Sequence, residues 1–152
     1  MNSGAEILIR GELDLLRERI IKNHIAANQK ASGQTIRSLK VVLDKESGTL
    51  YGRSYFGVLE TGRKPGRIPK NFAEILKKWI ADKRINVENE RSFIWFVSQK
   101  TKKEGSKLYR DGGRSDIYSN EIPKTIKTIR EKIAQHYRIE VTQIFNNSKV
   151  TA

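Results

Sequence analysis

The residues of this sequence that could do chemistry are few and scattered. His24 and His136 stand 112 positions apart, so they form no local metal-binding pair, and we expect His24 at a surface or an interface. The absence of cysteine excludes disulfides, thiol catalysis and cysteine-based zinc sites. Asp111 and Asp116 flank a glycine-rich stretch with nothing to fix two carboxylates for acid–base catalysis. We therefore predict no catalytic residue, no metal site and no cofactor.

One basic segment is a candidate for binding an anion. Residues 62–67 run Gly-Arg-Lys-Pro-Gly-Arg, and their backbone N–H and guanidinium groups could surround a phosphate, although such loops are usually only solvated. Arginine, lysine, tyrosine and histidine can also cleave RNA together without a metal, as in small basic ribonuclease toxins. That chemistry needs the residues to converge on a sheet, for which this sequence offers few strands.

The net charge of +13 is concentrated in the middle of the chain. Residues 51–110 carry 15 basic and 6 acidic side chains, whereas each flanking segment has a surplus of two. A localised positive field indicates an acidic partner, either nucleic acid or an acidic protein surface, and the alternative is a solvated face that keeps the protein soluble. No apolar run approaches the about 20 residues that a membrane-spanning helix needs, so we expect no membrane partner.

The chain is organised around an irregular stretch at residues 51–69. It holds four of the eleven glycines and two of the three prolines, and it fits neither a strand nor a long helix. We predict a strand end, one helical turn from Phe56 to Glu60, and an exposed mobile loop at about 62–70.

Periodicity predicts helices and a hairpin on both sides of this stretch. A first helix is predicted over 5–30, with Ile9, Leu13, Leu16 and Ile20 facing inward, and strands follow at 34–43 and 48–53 around a turn at 45–48. Further helices are predicted over 71–84, 88–103 and 120–146, the last packing along the first. The fold class is therefore α+β.

Aromatic residues cluster in the second and third of these helices. We interpret Phe72, Trp79, Phe93, Trp95 and Phe96 as core rather than as a base-stacking platform, with Phe93, Ile94, Phe96 and Val97 facing inward and Trp95 at the side. Residues 104–119 are predicted to form a second long mobile loop. The whole chain, 1–152, is predicted to be a single domain with a frayed C-terminus at 147–152.

Two stretches resemble the head–tail joining and tail-completion (neck) proteins of tailed bacteriophages. Ser32-Gly33-Gln34-Thr35-Ile36-Arg37-Ser38 is similar to a Thr-Gly-x-Leu-Arg-x-Ser pattern of that family, with one extra residue after the glycine. The segment from Tyr55 to Arg63 resembles its Tyr-Ala-x-Tyr-Val-Glu-x-Gly-Thr pattern, with Val58, Leu59, Glu60 and Gly62 on matching positions. The family's aromatic before the glycine is Thr61 here, and its Pro-x-Pro-Phe-Leu segment is missing.

The resemblance implies a structural virion protein that is not an enzyme. It would be assembled in the cytoplasm of a bacterial host and would form a ring of about six or twelve copies in the phage neck or tail. Its partners would be a portal-side ring or tail proteins, with packaged DNA as a non-specific electrostatic partner. The alternatives are a non-catalytic nucleic-acid-binding module and a small basic ribonuclease toxin.

The candidate contact residues follow from these expectations. We predict that oligomer or partner contacts involve Tyr55, Phe56, Glu60, Arg63, Tyr109 and Tyr118. The side chains predicted to face the DNA channel or an acidic partner are Arg63, Lys64, Arg67 and Lys70.

Overall fold

The computed structural model describes residues 4–44 and 47–150, with side chains up to residue 147. In chain order its elements are α1 (Gly4–Ala26), α2 (Gln34–Arg37), β1 (Lys40–Leu43), β2 (Gly48–Tyr51), α3 (Val58–Thr61), α4 (Phe72–Lys83), α5 (Glu90–Glu104), α6 (Lys107–Arg110) and α7 (Glu121–Val150). The two strands form one antiparallel sheet. The predicted mixture of a long first helix, a hairpin, a long last helix and further helices, compatible with an α+β fold, is confirmed. Among the described residues, no helix is both long enough and apolar enough to cross a membrane.

The last helix packs along the first, as the sequence predicts, and the two run antiparallel. Arg19 Nη2 donates to Thr125 Oγ1 at 2.9 Å, and Lys132 Nζ donates to Glu12 Oε1 at 2.5 Å. Gly4, at the start of α1, lies against the ring of His136. From residue 137 to 150, α7 therefore extends about 21 Å past the start of α1, at about 1.5 Å per residue.

The larger core lies between α1, the hairpin and the start of α7. The period of α1 buries Leu13, Leu16 and Ile20, which pack against Val41 of β1 and against Leu39 just before it. In the hairpin, Val41 pairs with Leu50 and faces the core, whereas Lys40 and Val42 point outward. This alternation follows from the two-residue period of a strand. The fully buried Ile117, which precedes α7, completes the core.

A smaller core joins α4 to α5. Its buried members are Leu76, Ile80 and Ile94, with Phe72, Phe93 and Val97 partly buried around them. The prediction that Phe96 faces inward is wrong, because 56% of its surface is exposed. The cause is that α5 packs mainly against one helix, which covers a narrow stripe and leaves the rest of its circumference in solvent.

Several predicted boundaries differ from the structure. Residues 34–37 form α2 instead of the start of a strand, because Gly33 adopts a φ of 77° and turns the chain just before them. The first helix ends at Ala26 rather than near residue 30, and Asn28 takes a φ of 54° just beyond it. The last helix runs on to Val150 instead of ending at Asn146. Residues 45 and 46 of the predicted turn, and 151–152 of the predicted frayed end, lie outside the described residues.

Residues 104–119 contain more structure than the predicted long loop. Ser106 caps α6 by accepting a hydrogen bond from Tyr109 N at 3.3 Å, and Ile117 is fully buried. The segment is ordered by long-range contacts with residues 57–63, which local sequence patterns do not encode. Its mobility stays a prediction.

Candidate functional site

Glu60 is a buried carboxylate in the irregular stretch at residues 51–69, and we call the contact region between residues 57–63 and residues 106–119 the joint. Only 3% of its surface is exposed. Its Oε1 atom accepts backbone hydrogen bonds from Ile117 at 2.9 Å, Tyr118 at 2.7 Å and Ser119 at 3.0 Å, and Oε2 accepts one from the Ser119 hydroxyl. One side chain of α3 therefore holds the turn that leads into α7.

The ionised form of Glu60 is the one that this arrangement stabilises. Burial by itself would raise the pKa of the carboxyl group, but the hydrogen bonds from Ser119, Tyr118 and Ile117 together outweigh burial and leave the pKa below its ordinary value. A carboxylate that accepts several N–H groups needs no cation to remain charged inside the fold. Glu60 is thus a structural anion and not a proton donor at neutral pH.

Two glycines near Glu60 allow the backbones to approach closely. Gly62 has a φ of 69°, and a Cβ atom there would lie 2.4 Å from Tyr109 N. Gly113 has a φ of 78°, and a Cβ atom there would lie 2.8 Å from the carbonyl oxygen of Glu60. That carbonyl also accepts a hydrogen bond from Arg114 N at 2.8 Å. Residues 106–119 are therefore held at the joint by backbone contacts as well as by hydrogen bonds to the Glu60 side chain.

Two consecutive hydrogen bonds connect the end of α1 to the same joint. His24 Nδ1 lies 3.3 Å from Gln29 Oε1, and Gln29 Nε2 donates to the carbonyl of Leu59 at 2.7 Å. Because the amide nitrogen of Gln29 is used as a donor, its oxygen is left to accept a hydrogen bond from His24. Of the two expected positions of His24, a surface or an interface, the surface is wrong, since only 4% of the residue is exposed. Burial lowers the pKa of His24, and the charge of Lys83 lowers it further, against an opposing effect of the Gln29 hydrogen bond.

The basic loop at 62–70 is docked on the junction between α5 and α6. Arg63 N donates to Ser106 Oγ at 2.9 Å, and Ser106 N donates to the carbonyl of Arg63 at 2.8 Å. Gly66 N donates to the carbonyl of Lys102 at 2.9 Å. The loop therefore presents its charges next to the C-terminal half of α5.

The four predicted channel-facing side chains do not share one role. Arg63 is half-buried, donates to the carbonyl of Arg67 at 3.0 Å, and lies over the ring of Phe72 at 5.6 Å from its centroid. Lys64, Arg67 and Lys70 are exposed, and none of them has an ion pair with a described residue. Three of the four cations are thus available to an acidic partner, and Arg63 positions the loop.

The predicted partner-contact residues also divide into exposed residues and residues that support the fold. Tyr55 and Tyr109 are exposed at 47% and 37%, whereas Glu60 is buried. Phe56 and Tyr118 are partly buried and pack on each other, with ring centroids 5.5 Å apart. Tyr55 and Tyr109 remain accessible to a partner, and the Phe56–Tyr118 pair supports the main core.

An apolar groove lies beside this pair, with a volume of about 400 Å³. It opens between α1, the hairpin and α7, and Leu16, Leu39, Phe56, Tyr118 and Ile126 are among its lining residues. Arg53, Tyr118 and two threonines are its polar lining residues, and the described lining contains no histidine or carboxylate that could complete a pair for acid–base chemistry.

The aspartates considered for catalysis are engaged in separate ion pairs. Asp116 accepts two hydrogen bonds from Arg114, at 2.6 and 2.7 Å, and Asp111 accepts one from Lys107 at 2.5 Å. The bidentate Arg114 contact lowers the pKa of Asp116. Within the described residues, no group of three histidine or acidic side chains is placed to hold a metal ion.

Two exposed apolar surfaces are absent from the predicted site. Trp95 and Phe96 on α5 are exposed at 65% and 56%, and Tyr137, Val141 and Phe145 on the extension of α7 at 52%, 49% and 65%. The signal for the second surface is in the sequence, since the apolar period of the last helix continues through Tyr137 and Val141. Comparisons of the chain with protein-family models, with curated proteins and with solved structures found no match.

Proposed function

We propose that this chain is a structural subunit of the neck or tail of a tailed bacteriophage and assembles with copies of itself into a ring. The resemblance over residues 32–38 and 55–63 motivates the proposal. It is supported by the roles of Glu60 and Gly62, two residues on matching motif positions, which form the joint on which the fold depends.

The observation that carries the proposal is the extension of α7 beyond α1. Tyr137, Val141 and Phe145 continue the apolar stripe of this helix, because residues four apart lie on the same face of a helix. Within the described residues, α1 begins at Gly4, which lies against His136 of α7. A helix face of this kind, with about half or more of each large side chain exposed, is typical of a surface that another subunit covers.

The hairpin adds a second reason for assembly. Its sheet has two four-residue strands in the described chain, and a two-stranded sheet is marginal by itself. Each strand has one edge without a strand partner among the described residues, and a neighbouring copy could extend the sheet there. Lys64, Arg67 and Lys70 would then face either packaged DNA or an acidic neighbour in the ring.

The mass of the assembled protein tests this proposal. We expect the purified chain to form a closed homo-oligomer in a concentration-dependent way, measured by light scattering and native mass spectrometry. Replacing Tyr137, Val141 and Phe145 together with serine should lower the mass to that of a monomer or a smaller species.

A matched pair of single variants provides the control. Val141 and Ile139 are both exposed at 49%, but two residues correspond to a rotation of about 200° around the helix, so they lie on opposite faces. Val141→Ser should weaken assembly and Ile139→Ser should not. A chain that remains monomeric at all accessible concentrations, with no difference between these variants, would overturn the proposal.

A further inference from the structure

The outer face of α5 combines exposed aromatic rings with cations. Six residues form this surface, which we call the α5 outer face: Arg91, Trp95, Phe96, Gln99, Lys102 and Lys103. All six are exposed, and at about 100° per residue they fall on one side of the helix, opposite the buried Ile94 and Thr101. The face carries three cations and no carboxylate.

The aromatic rings on this face are not covered by the fold. Trp95 is exposed at 65% and Phe96 at 56%, although burying either would stabilise the protein by about 1.5–3 kcal/mol or more. The ammonium group of Lys100 lies 5.6 Å from the centre of the Phe96 ring, which adds a fourth cation beside the rings. A helix face of this composition fits a ligand that has both flat apolar groups and negative charges.

The basic loop extends this surface. The hydrogen bond from Gly66 N to the carbonyl of Lys102 brings the loop that carries Lys64 and Arg67 against the end of α5. The nearby carboxylates of Glu90 and Glu104 lie 3.8 Å from the cations of Lys77 and Arg110, respectively. The positive charge of Lys64, Arg67, Lys102 and Lys103 is therefore not neutralised by an ion pair within the described chain.

We infer that the α5 outer face binds an unpaired nucleic-acid strand. Trp95 and Phe96 stack on bases, and the lysines and arginines around them contact the phosphates. The phosphates of a duplex would contact the cations equally well. Its bases, however, are stacked inside the duplex and would leave the two aromatic rings without a stacking partner. This surface is separate from the extension of α7, so the inference does not depend on the assembly proposed above.

Fluorescence of Trp95 provides the direct test. In a Trp79→Phe background Trp95 is the remaining tryptophan, so its emission reports on this face alone. We expect a deoxythymidine oligonucleotide of about 15 nucleotides to quench it with saturation, and a duplex of the same length to bind more weakly. The logarithm of the affinity should fall with the logarithm of the salt concentration by about 0.7 for each phosphate contact.

Surface variants of the otherwise natural chain then separate stacking from charge, with a labelled oligonucleotide as the probe. Trp95→Ser should lower the affinity at least about five-fold. Tyr51→Ser is its control, since Tyr51 is exposed at 56% on β2, far from α5 in sequence, and should leave the affinity unchanged. Replacing Lys102 and Lys103 with serine should make the salt slope less steep by about 1.4, whereas the same replacement of Lys22 and Lys127 should change it less.

Three results would overturn the inference. Binding of duplex that equals or exceeds binding of the single strand, with no effect of Trp95→Ser, would mean that the face contacts phosphates alone. A blue shift of Trp95 with phosphatidylglycerol vesicles but no quenching by the oligonucleotide would identify a lipid surface instead. A change in oligomer mass on Trp95→Ser, without an effect on oligonucleotide affinity, would identify a contact between copies.

Discussion

Glu60 Oε1 accepts a hydrogen bond from the backbone N–H of Tyr118 at 2.7 Å, although the two residues are 58 positions apart. The same oxygen accepts from Ile117 and Ser119, so one carboxylate replaces the helix or sheet partners that this turn lacks. Buried backbone N–H groups must be paired, and a side chain that pairs three of them fixes the path of the chain. The position of α7 relative to α3 therefore depends on Glu60.

Removing this carboxylate should destabilise the fold strongly. Glu60→Ala leaves three backbone N–H groups without their acceptor, and we expect a loss of about 3 kcal/mol or more in the free energy of unfolding. Glu60→Gln keeps an oxygen acceptor but removes the charge, so its loss should be smaller, about 1–2 kcal/mol. Urea titration followed by circular dichroism measures both.

An exposed glutamate on α1 serves as the control for the Glu60 variants. Glu18 is exposed, and Glu18→Gln should change the free energy of unfolding by less than about 0.5 kcal/mol. If Glu60→Ala unfolds at the same urea concentration as the natural chain, the joint does not hold the turn before α7.

A Cβ atom at Gly62 should be far more costly than one at Gly66. Both glycines have a positive φ, 69° and 127°, so alanine strains the backbone at each position. At Gly62 the new Cβ would also lie 2.4 Å from the backbone nitrogen of Tyr109, whereas at Gly66 nothing lies within 4 Å. We expect Gly62→Ala to lose at least about 2 kcal/mol more than Gly66→Ala in thermal or urea unfolding. Equal losses would mean that the approach of α6 is not what requires Gly62.

The helices that a local hydrophobic period defines can be predicted from the sequence. The inward side chains Leu13, Leu16 and Ile20 are evident from helical spacing, and α1 and α7 are both predicted to within a few residues. The order in residues 104–119 is not evident, because it depends on Glu60 and Gly62 from an earlier part of the chain. A local sequence pattern does not reveal a contact between residues so far apart in the chain.

Exposure was harder to predict than secondary structure. The helical period correctly predicts that Phe93 and Val97 face the smaller core. It does not predict how many other elements pack against the helix. Because α5 packs mainly on α4, the apolar Phe96 remains outside the smaller core. The candidate surface on α5 is not evident from the sequence for this reason. The predicted exposure of Lys64, Arg67 and Lys70 is confirmed, and their partner-facing role stays a prediction.

The four basic residues of the loop should separate into two classes when replaced with serine. Arg63→Ser removes the contact with Phe72 and the hydrogen bond to the carbonyl of Arg67, so we expect a loss of about 1 kcal/mol or more in stability. Replacing Lys64, Arg67 and Lys70 together should leave the stability within about 0.5 kcal/mol of the natural chain.

The same variants should behave in the opposite way toward an acidic partner. The triple variant should retain less duplex DNA at low salt, or assemble less well, than Arg63→Ser does at a temperature where both are folded. Unfolding curves and DNA retention on the same preparations provide the comparison. No change in either assembly or DNA retention for the triple variant would count against a partner-facing role for the loop.

The stability of the chain should fall as the pH is lowered through the titration of His24. Burial lowers the pKa of this histidine in the folded chain, so the unfolded chain binds the proton more readily. The contribution of neutral His24 is therefore fully present above its ordinary pKa of about 6.5 and is lost as the pH falls below that value toward the folded pKa. Protonation would also place a positive charge near Lys83, whose charge already opposes it.

Urea unfolding between about pH 7.5 and 5.5 should show this decline in the natural chain. His24→Gln should flatten the decline. A natural chain whose unfolding free energy does not change across this range would show that His24 takes up its proton equally readily in both states.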